Sequence, residues 1–221
     1  MSSATLYRWS GIALLVGSII GLLATILDTV LYPSHDLTAQ QVLSTPFAID
    51  ASLFLVWSVL LVLGLPGPYL SQAKRAGVLG FAGFVLLSLA LLLGGVAFGI
   101  VQVTDWPYLA ESAPKLLPSG GTGPTSGFLL WILIPVLLFG LGSILLGIAT
   151  LRAKVFSSWI GILLIVAGAL FLVSVAPIPF IDLASNSAFF VAFAWFGYTL
   201  FAQRKEQVVA PLATAEFQAS R

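Results

Sequence analysis

Six polar residues have side chains suited to binding a cation or carrying a proton. They lie at or near the ends of apolar runs: Asp28, Asp50, Gln102, Asp105, Asp182 and Asn186. Carboxylate and amide oxygens are the usual ligands of hard cations. Ionisable residues at membrane depth are rare and mark functional sites. We therefore predict a ligand- or ion-binding cluster, an acidic vestibule, at the outer face of a helical bundle.

Asp28 is the strongest single candidate because it lies inside the first apolar run, between Thr25 and Thr29. The alternative is a hydrated carboxylate bonded to neighbouring hydroxyls, since only about 7 Å of helix separates Asp28 from Pro33. For Asp50 and Asp182 the alternative is a stabilising charge in the first turn of a helix. At this point both interpretations remain open for all three residues.

The residue types exclude several other chemistries. The chain has no cysteine, and its one histidine, His35, lies beside Asp36 in a predicted loop. One histidine cannot supply a haem pair or a three-histidine zinc site. The serines in the apolar runs have no histidine or lysine at the same depth, which disfavours a serine hydrolase. We predict no catalytic residue, no metal and no cofactor.

The elements that position these residues are predicted to be membrane helices. Only 8% of the residues are charged, against about a quarter in a soluble domain, and the mean hydropathy is +1.09. Apolar runs long enough to cross roughly 30 Å of hydrocarbon predict a six-transmembrane-helix bundle as one all-α domain, 1–202. The predicted spans are 9–31, 47–65, 76–103, 127–151, 156–176 and 183–202.

Basic residues fix the predicted orientation. With six spans, Lys115 is the one basic residue on the outer side. The other basic residues lie on the side of both termini: Arg8, Lys74, Arg75, Arg152, Lys154, Arg204, Lys205 and Arg221. By the positive-inside rule both termini are cytoplasmic. The first apolar run follows Arg8 and could be a signal peptide, but no small-residue cleavage site precedes Asp28, so we expect a retained span. Short loops without an organelle address favour a bacterial inner (plasma) membrane.

Glycine spacing predicts where helices pack closely. Gly17 and Gly21, like Gly95 and Gly99, are four residues apart, the spacing of small-residue helix contacts. A basic residue and an early glycine also begin the first, third and fifth spans, and a second glycine follows about two turns later, at Gly17, Gly83 and Gly168. This pattern suggests three parallel helical hairpins in a weak threefold repeat. The alternative is that these features recur in many membrane helices.

Two connecting segments and one terminus are predicted to lie outside the spans. Proline and glycine are dense in 104–126, which predicts an irregular loop over the outer face. Residues 203–221 are predicted to form a short cytoplasmic tail, in which Pro211 interrupts any continuous helix.

Three functions remain. The first is a non-catalytic accessory or scaffold subunit, or a lipid-binding component, of a membrane complex. The second is a small transporter or channel that uses the outer acidic cluster, and the third is an enzyme acting on a lipid at the outer interface. The expected partners are membrane lipid and other membrane-protein subunits. The net charge of +1 and the lack of a basic run give no reason to expect nucleic acid.

Overall fold

Helices account for the regular structure in the part of the chain that the computed structural model describes, 3–32, 37–117, 125–174 and 180–219, with side chains for 5–32, 37–117, 133–174 and 180–202. The all-α prediction is confirmed. The helices are α1 (Ser3–Leu31), α2 (Ala39–Val42), α3 (Thr45–Gly64), α4 (Pro66–Ala90), α5 (Phe98–Ser112), α6 (Thr125–Ala153), α7 (Ser158–Val173) and α8 (Ile181–Ala219). A π-helical segment, Leu91–Ala97, joins α4 to α5, and a 3₁₀ turn covers Pro114–Leu116.

The long helices form a closed ring. α1 packs between α3 and α8, α7 packs between α8 and α6, and α6 packs on α4. The π-helical segment and α5, which continue α4, pack on α3 and complete the ring. Glycine allows the closest approaches, since a Cβ on Gly83 would lie 2.5 Å from the backbone nitrogen of Leu146. Small residues at such contacts let two helix backbones approach.

Aromatic side chains of α8 fill the interior of the ring. Phe189, Phe190, Phe193 and Phe196 are at most 1% exposed, and their spacing places them on one helical face. Phe190 meets Trp57 of α3 edge to face at 5.0 Å. Phe189 contacts phenylalanines of α6 and α7, and Phe196 contacts Phe156 in the α6–α7 turn. Phe193 packs on Phe189 and Phe196. The core of the bundle is therefore a continuous aromatic and aliphatic cluster.

Within the described residues, four helical runs are long and apolar enough to cross a bilayer: Thr5–Leu31, Thr45–Ser112, Leu133–Ala153 and Ile181–Ala202. Ser158–Val173 is a shorter apolar helix. The 68-residue run Thr45–Ser112 corresponds to about 100 Å of helix, yet it folds back on itself. Gly99 lies against Leu55, and Phe47 stacks on Trp106 at 5.9 Å between ring centroids.

Two breaks produce this reversal. α3 ends at Gly64, and Pro66 begins α4, as the Pro66-Gly67-Pro68 sequence predicts. α4 is then interrupted at Gly77, where the backbone has φ 58° and ψ −156°, a region open almost only to glycine. The short leg before Gly77 turns back toward the rest of α4, and Tyr69 stacks on Phe84 at 4.5 Å.

Two predicted boundaries differ from the structure. Residues 104–112 belong to α5 rather than to an irregular loop, because Trp106 and Ala110 are buried against Phe47 and Val42. α8 also continues past the predicted end at Ala202, through Pro211 to Ala219, so the predicted helix break at Pro211 is wrong. A cytoplasmic tail over 203–221 stays a prediction.

Candidate functional site

One end of the bundle, here called the acidic end, carries the polar residues of α1, α3, α5 and α8. Gly17 lies against Leu60, and Gly64 lies against Leu14. Extending this antiparallel register along α1 and α3 brings Asp28 level with Asp50. The contact of Gly99 with Leu55 likewise brings Gln102 level with Ala51, the residue after Asp50. The helix pairing therefore places these three polar residues at one depth.

Asp50 is the most enclosed member of the group. It is 8% exposed, and its Oδ1 atom has no hydrogen-bond partner among the described residues. Asp28 is half-buried, and its carboxylate is close enough to repel that of Asp50. A buried charge without full hydrogen bonding is costly. Helix formation alone does not require an acidic residue at the position of Asp50.

Gln102 contributes a second unpartnered acceptor. Its side chain is half-buried, and its Oε1 atom has no hydrogen-bond partner among the described residues. The acidic end thus contains two enclosed oxygens, one from a carboxylate and one from an amide, that have hydrogen-bonding capacity to spare.

An aromatic cluster covers this group from the loop side. Tyr32 meets Phe47 edge to face at 6.2 Å, and Trp106 stacks on Phe47 and meets Phe98 at 5.7 Å. Tyr32 lies just beyond the end of α1, and burial raises the pKa of its phenol. A hydrogen bond with Ser44 lowers the pKa of Tyr32, and the charges of Asp50 and Asp28 raise it further. Tyr32 and Ser44 therefore belong to the surroundings of the two carboxylates.

The three remaining predicted members are Asp105, Asp182 and Asn186. Asp105 is exposed and accepts a hydrogen bond from the Thr104 hydroxyl at 3.0 Å. Asp182 is exposed in the first turn of α8, and Asn186 is half-buried one turn later. Gly21 of α1 lies against Phe190 of α8, so the register places Asn186 near the level of Thr25. Of the six residues, Asp28, Asp50, Gln102 and Asn186 are partly or fully enclosed, and Asp105 and Asp182 are exposed. His35 and Asp36 lie outside the described residues.

The predicted glycine contacts all fall within the chain. A Cβ on Gly17 would meet Leu60 at 2.9 Å, and one on Gly21 would overlap the Phe190 ring. A Cβ on Gly95 would meet Ser58 at 2.9 Å, and one on Gly99 would meet Leu55 at 3.1 Å. These four glycines therefore serve the internal contacts of α1 with α3 and α8, and of α3 with the π-helical segment and α5.

The arrangement has the chemistry of a small cation or proton site. Two carboxylates and one amide oxygen are hard ligands, and the repulsion between the carboxylates would be relieved by a proton or a cation. Among the described residues, no group of three or more histidine, aspartate or glutamate side chains is placed to hold a metal ion. The geometry therefore offers two acidic ligands, short of a full cage.

Two neighbours of this site, Tyr32 and Ser44, were not predicted. Tyr32 directly follows the first apolar run, and Ser44 caps α3 through a hydrogen bond from the Phe47 backbone. A serine before Thr45-Pro46 is a helix-start signal, but its approach to Tyr32 depends on how the connection between α1 and α3 folds. Comparisons with models of protein families, with curated proteins and with solved structures found no significant match.

Proposed function

We propose that the protein is a non-catalytic polytopic membrane component, an accessory or scaffold subunit of a membrane complex that also binds lipid. The observation that carries this proposal is the filled interior. Leu14, Leu61, Leu87, Leu146 and Leu164, from five different helices, are fully buried together with the phenylalanines of α8. Such packing suits a component that holds its shape and offers its outer surface to neighbours.

The outer surface supports the same proposal. Large apolar side chains on successive helices of the ring are more than half exposed, among them Val30, Leu63, Val78, Phe81 and Trp159. Apolar exposure on this scale is destabilising in water and matches the surroundings that lipid tails or other membrane helices provide.

The topology that we propose has six crossings. The run Thr45–Ser112 supplies two of them, since it folds back at Gly64 and Gly77, and Ser158–Val173 supplies the fifth. Lys74, Arg75, Arg152 and Lys154 lie at the end opposite the acidic end, here called the basic end. The positive-inside rule then places the basic end and both termini in the cytoplasm. We propose the inner membrane of a bacterium as the location.

The experiment that tests this function is native mass spectrometry of the protein extracted from its own membrane in a mild detergent. We expect the chain to leave the membrane with other subunits and with retained lipid. Asp50→Asn should keep the same partners, because the proposal gives that carboxylate no part in assembly. If the wild type and Asp50→Asn are both detected as single chains without other subunits or lipid, the proposal is contradicted.

A small transporter or channel is the second candidate, and the enclosed oxygens of Asp50 and Gln102 beside Asp28 favour it. A cation bound there would stabilise the folded chain in proportion to its concentration. Thermal unfolding with added Na⁺, K⁺, Mg²⁺ or Ca²⁺ tests this candidate. A rise in midpoint that Asp28→Asn removes would support it, and an unchanged midpoint with all four cations would count against it.

A further inference from the structure

A cavity of about 550 Å³ opens at the basic end, between the short leg of α4 and the turn that joins α6 to α7. Its lining includes three cationic side chains, Lys74, Arg75 and Lys154, together with Gln72 and the apolar Leu70 and Val155. The cations are exposed at the cavity, and Gln72 is 1% exposed. None of these residues belongs to the acidic end.

Gln72 borders the cavity as a buried amide with a fixed orientation. Its Nε2 donates to the Thr150 hydroxyl at 3.2 Å, and that hydroxyl donates to the Leu146 carbonyl at 2.9 Å. Since the only hydroxyl proton of Thr150 is used, the orientation of the Gln72 amide is fixed. Its Oε1 has no hydrogen-bond partner among the described residues. The interface between α4 and α6 therefore contains a buried polar side chain, Gln72, at a position that an apolar side chain would fill.

The charge of the cavity is not balanced locally by the described part of the chain. The acidic side chains that the structure describes are Asp28, Asp50, Asp105, Glu111 and Asp182, and all of them lie at the opposite end of the bundle. Lys154 is also held in a left-handed conformation, with φ 51°, directly after the last turn of α6. Three cations thus converge at one cavity from two separate segments.

We propose that this cavity binds the phosphate of an anionic phospholipid headgroup from the adjacent leaflet. The inference deepens the proposed function and rests on it, because that function places the basic end at the membrane surface. Arginine matches a phosphate with two parallel hydrogen bonds, and lysine adds compact charge. Basic pockets between membrane helices are suited to such headgroups. The apolar Leu70 and Val155 beside the cations favour a phosphate that is attached to acyl chains.

The test is a lipid titration of the purified full chain in dodecyl maltoside, followed by native mass spectrometry. Phosphatidylglycerol and phosphatidylcholine are the two probes, with the same acyl chains. We expect phosphatidylglycerol to bind more tightly, and each of Arg75→Gln and Lys154→Gln to weaken it about fivefold, as expected for one cation near a membrane surface. Lys154→Arg should keep the wild-type affinity.

Arg152→Gln is the matched control, because Arg152 is exposed two residues from Lys154 and does not line the cavity. We expect it to change the affinity less than Lys154→Gln does. Equal losses in the two variants would overturn the proposal in favour of general surface charge. Equal binding of both lipids by the wild type would also overturn it.

Inorganic phosphate and glycerol phosphate distinguish the two sources of the same group. If neither displaces phosphatidylglycerol at millimolar excess, the lipid source is supported. If either displaces it, the phosphate site stands and the lipid source is overturned. Variants that lose phosphatidylglycerol but still leave the native membrane with the wild-type subunits keep the proposed function intact. If the wild type neither binds phosphatidylglycerol nor leaves the native membrane with other subunits, both proposals fail.

Discussion

Asp50 shows most directly what a single residue implies in this bundle. Its carboxylate is buried, one of its oxygens has no hydrogen-bond partner in the described part of the chain, and it lies near the half-buried Asp28. Asp50 lies beyond the first turn of α3, which begins at Thr45, so the predicted role as a first-turn charge is wrong. The burial of this carboxylate therefore indicates either that it holds a proton or a ligand, or that it lowers the stability of the folded chain.

We predict that Asp50→Asn raises the stability of the isolated chain. The substitution removes a buried charge and its repulsion with Asp28. A buried polar group without a hydrogen bond costs about 1–3 kcal/mol, and a charged group costs more. The measurement is the thermal unfolding midpoint in detergent, followed by the tryptophan signal. Asp105→Asn is the control, since Asp105 is exposed and its charge is already hydrated.

A lower midpoint for Asp50→Asn than for Asp105→Asn would contradict this prediction. It would show that the carboxylate of Asp50 makes a favourable interaction that the asparagine side chain cannot replace.

At the scale of the element, Gly77 determines how α3 and α4 connect. A Cβ at this position would meet nothing within 4 Å, yet the backbone has φ 58° and ψ −156°. The requirement for glycine is therefore conformational rather than steric with neighbours. It lets the short leg at the basic end turn into the long part of α4.

We predict that Gly77→Ala destabilises the chain by about 1–3 kcal/mol, the cost of holding a non-glycine residue in this region. Val78→Ala is the control, because Val78 is 84% exposed and alanine keeps the helix. The measurement is the fraction folded across an SDS titration, read by circular dichroism. Equal unfolding curves for the two variants would show that the bend does not depend on glycine.

The sequence predicts the helices well where a composition break marks their ends. Pro66-Gly67-Pro68 indicates the end of α3, and Pro33 follows α1 closely. It does not predict the last turns of α5, because their helix depends on burial of Trp106 against a residue about 60 positions earlier in the chain. Long-range contacts of this kind override the local proline and glycine signals.

The polar residues also differ in whether the sequence predicts their positions. Asp28, Asp50 and Gln102 can be predicted to share one depth, because depth follows from distance to the helix ends. Tyr32 and Ser44 cannot, since their approach depends on the fold of the α1–α3 connection. The cavity beside Gln72 also could not be predicted, because it forms where the leg of α4 meets the α6–α7 turn.

For the whole molecule, α1 packs on α3, α4 on α6 and α7 on α8, as in the three predicted hairpins. However, α1 packs more extensively on α8 than on α3, and α7 packs more extensively on α6 than on α8. The glycines that suggested this repeat have unequal roles. Gly17 contacts α3 and Gly83 contacts α6, each within its own hairpin, whereas Gly168 contacts Gly140 and Ile144 of the preceding hairpin. The repeat stays a prediction, and the third unit departs from its packing pattern.

We predict that the acidic end faces outward and the basic end faces the cytoplasm. The cysteine-free chain allows a matched test with Ser112→Cys and Ser158→Cys, both exposed and at opposite ends. A membrane-impermeant maleimide should label the first variant in intact cells and the second only after permeabilisation. The opposite labelling pattern would overturn the proposed orientation.

We propose that the filled interior makes this chain a non-catalytic, non-conducting component of its membrane. Flux through liposomes that contain the purified protein, measured for protons and for K⁺ with internal dyes, tests this proposal most directly. We predict leakage equal to that of protein-free liposomes, for the wild type and for Asp28→Asn alike. Protein-dependent flux that Asp28→Asn abolishes would contradict the proposal and establish transport through the acidic end.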